Sequence, residues 1–459
     1  MRFILAALLL VPSLYAQVEP GSPTYQRLKS YIDSIPAIDT HDHLWPFEIL
    51  PGRVDTKEGN GLNLSSIWRN SYLNWVARIP AWRKNEGIEG WWRRVETERA
   101  FEDVRGMSFY RYTHIALQDL YGVDFEAIDL AGVKDLNKRI FDNYRDEKWL
   151  HEVVTEKANI ELMFNDPYWA RYAFKTSYPW EVMVFNQNPI ITGFHPTLFN
   201  KPNDSPFKFA ADRKMPMKTL DDYLKCVDKM FQTAKESGAI CLKTTLAYQR
   251  TIRFEDVPRE RAEKVFGRPP GKVSAQEKKD FEDFMMWRVC EFSAKYELPF
   301  QIHTGHARIQ GSNPMNLVDL INANRKTKFI LFHGGFPWVG EMGMIVMRSM
   351  SYGKNVWADS VWLPQISYHT AKRAFNEWLD VMPSDRIMWG GDCNHGEGIY
   401  GSTEMTRRCI AEVLAERVES GELKEHYARR IGRQIMRDNA LKLFPDLRKR
   451  LWKGRGIKP

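Results

Sequence analysis

From about residue 159 onward the chain alternates short apolar segments with amphipathic stretches of helical period, and this alternation constrains the fold more than any other feature. Segments 159–164, 180–185, 239–245, 298–303, 328–333, 355–359 and 387–392 read as strands, and 37–43 makes an eighth. Strands separated by helices pair in parallel, because a helical crossover returns the chain in its starting direction. Eight such units predict an α/β fold, a (β/α)8 barrel, which with insertions accommodates all 459 residues as one unit. Hydrophobic residues at 43% and charged residues at 27% are ordinary for a globular chain, and no repeat or low-complexity linker divides it.

The stretch from about 45 to 156 interrupts the alternation. It carries Trp68, Trp75, Trp82, Trp91 and Trp92 among mixed charges and reads as a helical insertion above the barrel. The opening residues, Met1 to Ala16, combine one positive charge, a short apolar run and a terminal alanine. They read as a signal peptide, so the protein is expected to be exported, with an uncleaved anchor as the competing reading. The barrel domain then runs over 17–447. No later segment is long enough for a membrane span. The five cysteines, Cys226, Cys241, Cys290, Cys393 and Cys409, are odd in number and scattered, so no disulfide framework is expected. The net charge of +8 owes part of its size to the run 448–459, which reads as a solvated basic tail rather than a nucleic-acid surface. The expected partner is a small-molecule substrate, with no nucleic acid, and a homo-oligomer is compatible with the sequence.

Reactive side chains gather at the ends of the expected strands. His41 and His43 stand two apart in Ile38-Asp-Thr-His-Asp-His43. Alternation in a strand would send Asp39, His41 and His43 to one side and Thr40 and Asp42 to the other. His303, His333 and Asp392 close three further segments. All C-terminal strand ends of a barrel share one face, so these residues would meet. Eleven histidines placed at random would fall mostly on helices and loops. Neutral imidazoles with a carboxylate suit Zn²⁺, and water in a remaining coordination position ionises near pH 7, against a pKa of about 15.7 in bulk. The plainer readings are a core histidine bonded to a carbonyl for His333 and a helix N-cap for Asp392.

The motifs Asp39-Thr-His-Asp-His43, Gln301-Ile-His-Thr-Gly305, Leu331-Phe-His-Gly-Gly335 and Trp389-Gly-Gly-Asp-Cys-Asn394, with Asp438-Asn-Ala-Leu441 more weakly, resemble the amidohydrolase superfamily. Within it the chain is similar to the amidohydrolase-related family, which includes metal-dependent decarboxylases of aromatic and unsaturated acids. The likeness extends from Pro36 to Leu443. It implies an eight-fold barrel with one divalent metal, commonly zinc, with manganese or a binuclear centre as alternatives. It makes His41, His43, His303 and Asp392 the ligands, and His333 the residue that orients or deprotonates the water, with Asp392 assisting. Lys243, on the fourth expected strand with Cys241 and Thr245 on its face, departs from the simplest mononuclear pattern. It would bridge a second metal once carboxylated, neutralise a substrate carboxylate, or pair with Asp39. Tyr248, Arg250 and Arg308 follow strand ends and are candidates for binding an anionic substrate, since guanidinium offers carboxylates two parallel donors. His306 and His395 read as loop residues, and Cys393 has no setting for a nucleophile.

The resemblance implies hydrolysis of an amide, ester or lactone. Non-oxidative decarboxylation on the same site is one alternative. Uronate-isomerase-like sugar-acid isomerisation is another, through Lys243-Thr-Thr-Leu-Ala-Tyr-Gln-Arg250 and the helical insertion. A binding protein without turnover would not be expected to keep the whole ligand set and His333.

Overall fold

The computed structural model describes residues 21–199 and 204–454. Its strands are β1 (Ala37–Asp42), β2 (Val54–Thr56), β3 (Gly59–Gly61), β4 (Ile160–Asn165), β5 (Glu181–Asn186), β6 (Ala239–Thr244), β7 (Phe300–Ile302), β8 (Phe329–Leu331), β9 (Val356–Asp359) and β10 (Ile387–Met388). All except β2 and β3 form one parallel sheet in the order β1-β4-β5-β6-β7-β8-β9-β10. The eight expected strands are therefore all present. The last is the most shortened, to two residues, because beyond Met388 the chain turns over the end of the barrel. Three backbone bonds then close the ring: Thr40 N–H to Trp389 O (3.2 Å), Asp392 N–H to His41 O (2.8 Å) and His43 N–H to Cys393 O (2.8 Å). Closure thus falls on the residues that carry the candidate ligands. Every residue of the barrel strands is buried except Glu161, as expected when both faces of a parallel sheet are covered. The covering helices Leu220–Glu236 and Ala275–Tyr296 each start at a capping box, Thr219 with Asp222 and Ser274 with Glu277.

Between β1 and β4 lie helices at Leu64–Asn70, Gly87–Thr97, Ser108–Tyr121 and Leu130–Asn143. The antiparallel ribbon of β2 and β3 was not expected there, since three residues per strand are too few to show a period of two. Helix Ser108–Tyr121 lies along helix Gly396–Glu419. At Gly401 the Tyr112 carbonyl approaches so closely that a Cβ would stand 2.1 Å from its oxygen. Buried Glu397 accepts from the hydroxyls of Tyr121 and Tyr144, both at 2.6 Å, and from Trp149 Nε1 at 3.3 Å. These contacts seat the insertion on the barrel.

The C-terminal run departs from a solvated tail. Leu447–Gly454 is helical, and Arg450 donates through Nη1 to Glu181 O and through Nη2 to Gly238 O, both at 3.1 Å, where β5 and β6 begin. Residues 455–459 and the expected signal peptide lie outside the described residues. Among the described residues no helix is long and apolar enough to cross a membrane, and all five cysteines are buried and free.

Candidate active site

The strict alternation expected for residues 39–43 fails. The pairing of β1 with β4 shifts register between Asp39 and Asp42. Asp39 accepts from the backbone N–H of His41 (2.9 Å) and of Gly391 (3.1 Å), and Asp42 accepts from the N–H of Cys393. Both carboxylates therefore brace the loop after β10 instead of dividing between two faces. Burial raises the Asp39 carboxyl to about 7 and the Asp42 carboxyl well above its usual range.

Hydrogen-bond partners decide which ring nitrogen of each histidine carries a lone pair, because a carbonyl only accepts and an ammonium only donates. His43 Nδ1 lies 2.9 Å from the Asp166 carbonyl, so it bears the hydrogen and Nε2 the lone pair. His41 Nε2 lies 3.3 Å from Lys243 Nζ and accepts. His333 Nδ1 faces Val361 O at 3.1 Å and carries a hydrogen, leaving Nε2 to accept from His303 Nδ1 at 2.9 Å. His303 Nε2 then presents a lone pair, and that buried atom has no partner among the described residues. Burial pushes His303 down to about 3 and keeps His41 and His333 well below the usual imidazole value, so all three are neutral. Burial also opposes protonation of His43, but the bond and charge of Asp392 raise it overall.

Asp392 Oδ1 stands 3.1 Å from His43 Nε2 and 3.6 Å from His41 Nε2. Lone pairs aimed at a carboxylate repel it unless a cation or a proton lies between. His41, His43 and Asp166 also offer ligand atoms that all lie within 4.8 Å of one another. This donor set fits a divalent metal, with outer bonds fixing the rings of His43 and His303 as metal sites require, while the buried His41 Nδ1 has no partner among the described residues. Three residues around the site, His333, Trp362 and Asp392, hold left-handed backbone at φ of 60°, 62° and 60°. Such geometry costs about 1–2 kcal/mol per non-glycine residue and gathers where function demands it.

His41, His43, His303, Asp392 and Lys243 line one cavity of about 440 Å³. His333 does not. Fully buried, it bonds Val361 O and His303 through its two ring nitrogens, and its Nδ1 lies 3.9 Å from Asp392 Oδ2, beside the ligand set. Asp392 is not a helix N-cap either, since His395 occupies that position for the helix Gly396–Glu419. Lys243 does not pair with Asp39: its ammonium lies beside His41 and 3.7 Å from the centre of the Phe332 ring, and burial lowers it to about 8.

Tyr248 joins the cavity wall, its ring 4.4 Å from that of His303. Arg250 does not reach it, because its guanidinium is held by Glu282 at 2.9 Å and by Asp283. Arg308 is exposed and lies outside the lining. His306 packs edge-on against Trp362, with ring centres 4.6 Å apart. His395 is buried and bonds Asn394 Oδ1 at 2.8 Å, while Cys393 is buried with its thiol raised far above the usual value, which leaves it inert.

Several lining or supporting residues escaped the sequence reading. Asp166 lies just past β4, at the same barrel end as the histidines, and ending that strand at 164 hid it. Arg69, Tyr72, Trp75 and Tyr168 line the cavity from connecting segments, and Trp362 from the turn after β9, where no periodicity marks them.

An amidohydrolase family model matches residues 252–445, the stretch that holds His303, His333 and Asp392. The match covers less than half of the chain and supports its resemblance to the amidohydrolase-related family over that stretch. Protein fluG of Emericella nidulans is 24% identical over 222 residues, which is 45% of this chain but 25% of that protein. The chain thus spans about a quarter of the length of that curated relative. Among solved structures, the glucuronate isomerase of Caulobacter crescentus aligns with a TM-score of 0.68 at 14% identity, covering 98% of this chain and 97% of its own. The uronate isomerase of Thermotoga maritima aligns at 0.67 and 16%, covering 92% and 97%. A Lactobacillus casei protein described as a metal-dependent hydrolase aligns at 0.62 and 14%, covering 92% and 98%. These likenesses establish the barrel fold.

Proposed function

We propose that this protein is a metal-dependent hydrolase that cleaves an amide, ester or lactone of a small anionic substrate. The reading is carried by the convergence of imidazole lone pairs from His41, His43 and His303 and the Asp392 carboxylate on one cavity. A divalent ion held by these four residues, zinc being best matched to nitrogen and oxygen donors, supplies Lewis acidity and an acidified water. Asp392 takes the proton of the attacking water and returns it to the leaving group. His333 keeps His303 in the tautomer that offers Nε2. Lys243 and Arg69 both line the cavity, and neither has a carboxylate within ion-pair distance among the described residues. They bind the anionic end of the substrate in place of Arg250 and Arg308.

The test is elemental analysis of protein purified without chelator, followed by a panel of anionic amides, esters and lactones. Near one divalent ion per chain with hydrolysed product supports the reading. Near two would make Lys243 a bridging ligand. Turnover seen only as release of CO₂, or only as isomerised sugar acid, would replace hydrolysis by decarboxylation or isomerisation, and no metal after reconstitution would overturn the reading.

A further inference from the structure

We infer that Tyr72, supplied by the insertion, is a positioning residue that holds Asp392 in its ligating orientation. The inference rests on the reading of Asp392 as a metal ligand. Asp392 aims its carboxylate at His43 and His41 from a left-handed backbone, φ 60°. Aspartate tolerates this conformation better than most residues, and the direction of its carboxylate is then set by how its flanking peptides are held. On the N-terminal side its own N–H donates to His41 O at 2.8 Å. On the C-terminal side its carbonyl accepts from the Tyr72 hydroxyl, and the N–H of Cys393 in the same peptide donates to Asp42.

Tyr72 is itself fixed. Its ring packs 4.5 Å from Trp362 and 5.7 Å from Phe109, and its backbone N–H donates to the Tyr112 hydroxyl at 3.1 Å. Tyr112 belongs to the helix that Gly401 admits against the barrel. A continuous set of contacts therefore runs from the seated insertion through Tyr72 to one peptide of the metal site. Tyr72 does not touch the Asp392 carboxylate and acts through the carbonyl alone. The insertion thus shapes the ligand set as well as the cavity wall.

The test measures Zn²⁺ affinity by competition with a chromophoric chelator for the wild type, Tyr72→Phe and Tyr110→Phe. Tyr110 sits on the same insertion helix as Tyr112, and its buried hydroxyl has no partner among the described residues, so its loss should leave Kd unchanged. Loss of an outer-shell bond weakens metal binding by about 10–100-fold, and for Tyr72→Phe a Kd raised about tenfold is expected. The metal-free variant should unfold at close to the wild-type denaturant concentration, which separates ligand positioning from general loosening. Should Tyr72→Phe fail to fold, Tyr112→Phe removes the acceptor of the Tyr72 amide and should raise Kd severalfold. A wild type that binds Zn²⁺, with Tyr72→Phe (or Tyr112→Phe where Tyr72→Phe does not fold) within twofold of it, overturns this inference alone, as does a Tyr110→Phe Kd raised as much as that of Tyr72→Phe. A wild type that binds no metal overturns both the inference and the reading beneath it.

Discussion

Replacing His333 by asparagine separates two roles that its place beside the ligands allows. In the structure the ring donates from Nδ1 to Val361 O and accepts at Nε2 from His303 Nδ1. Asparagine tolerates the left-handed backbone at this position, and its amide N–H₂ can replace the bond to Val361, but its side chain is too short to reach His303. His303 is then free to move its hydrogen to Nε2, the tautomer that cannot ligate. Loss of such an outer-shell bond costs about 10–100-fold in metal affinity, or about 1.4–2.8 kcal/mol. His333→Ala adds a cavity in a fully buried site and an orphaned His303 N–H, for about 2–4 kcal/mol of fold stability. Chelator competition for Zn²⁺ reads the first effect, and urea unfolding of metal-free protein reads the second. Both variants should bind metal more weakly, with alanine the less stable of the two. If His333→Asn binds Zn²⁺ like the wild type while turnover collapses, His333 handles a substrate proton, and the imidazole chain is only packing.

Gly401→Ala should destabilise the protein by about 2 kcal/mol: the gain of about 1 kcal/mol in helix propensity is outweighed by overpacking near the upper end of about 1–3 kcal/mol, since the Cβ would meet a backbone oxygen that cannot turn aside. Urea unfolding that shows equal or greater stability would mean that the insertion is not tightly seated. Arg69→Gln should raise KM about tenfold or more through loss of a charged hydrogen bond to substrate, whereas Arg250→Gln should leave KM alone and cost about 1.5–3 kcal/mol of stability, because Asp283 keeps Lys279 and Glu282 keeps Lys278 as partners. The opposite pattern in steady-state kinetics would return substrate binding to Arg250. Burial raises the Glu181 carboxyl from 4.5 to about 7, so the folded state holds a proton that the unfolded state has lost. That proton makes stability fall as pH rises across this window, by at most about 3 kcal/mol, and Glu181→Gln should remove this part of the slope. Unfolding curves at pH 5 and 7.5 with the same slope for both proteins would contradict it.

The barrel, and the meeting of His41, His43, His303 and Asp392 at one end of it, were legible in the sequence because both rest on local rules. Apolar runs broken by helical stretches mark parallel strands, and His41, His43, His303 and Asp392 stand at their ends, which a barrel brings together. His333 was found as well, but its bond to His303 was not, since only the three-dimensional structure brings the two rings together. Arg250 looked like Tyr248 from its position, and it took the fold to bring Glu282 and Asp283 to its guanidinium while leaving Arg69 facing the cavity. The register shift in β1, the left-handed turn at Asp392 and the hydroxyl of Tyr72 on its carbonyl involve residues hundreds of positions apart. Periodicity reports what a residue's own neighbours along the chain favour. Which donor faces which acceptor across a closed barrel is set by packing between segments, so the sequence alone determined the fold and the kind of chemistry, and the tertiary structure decided which atoms carry it.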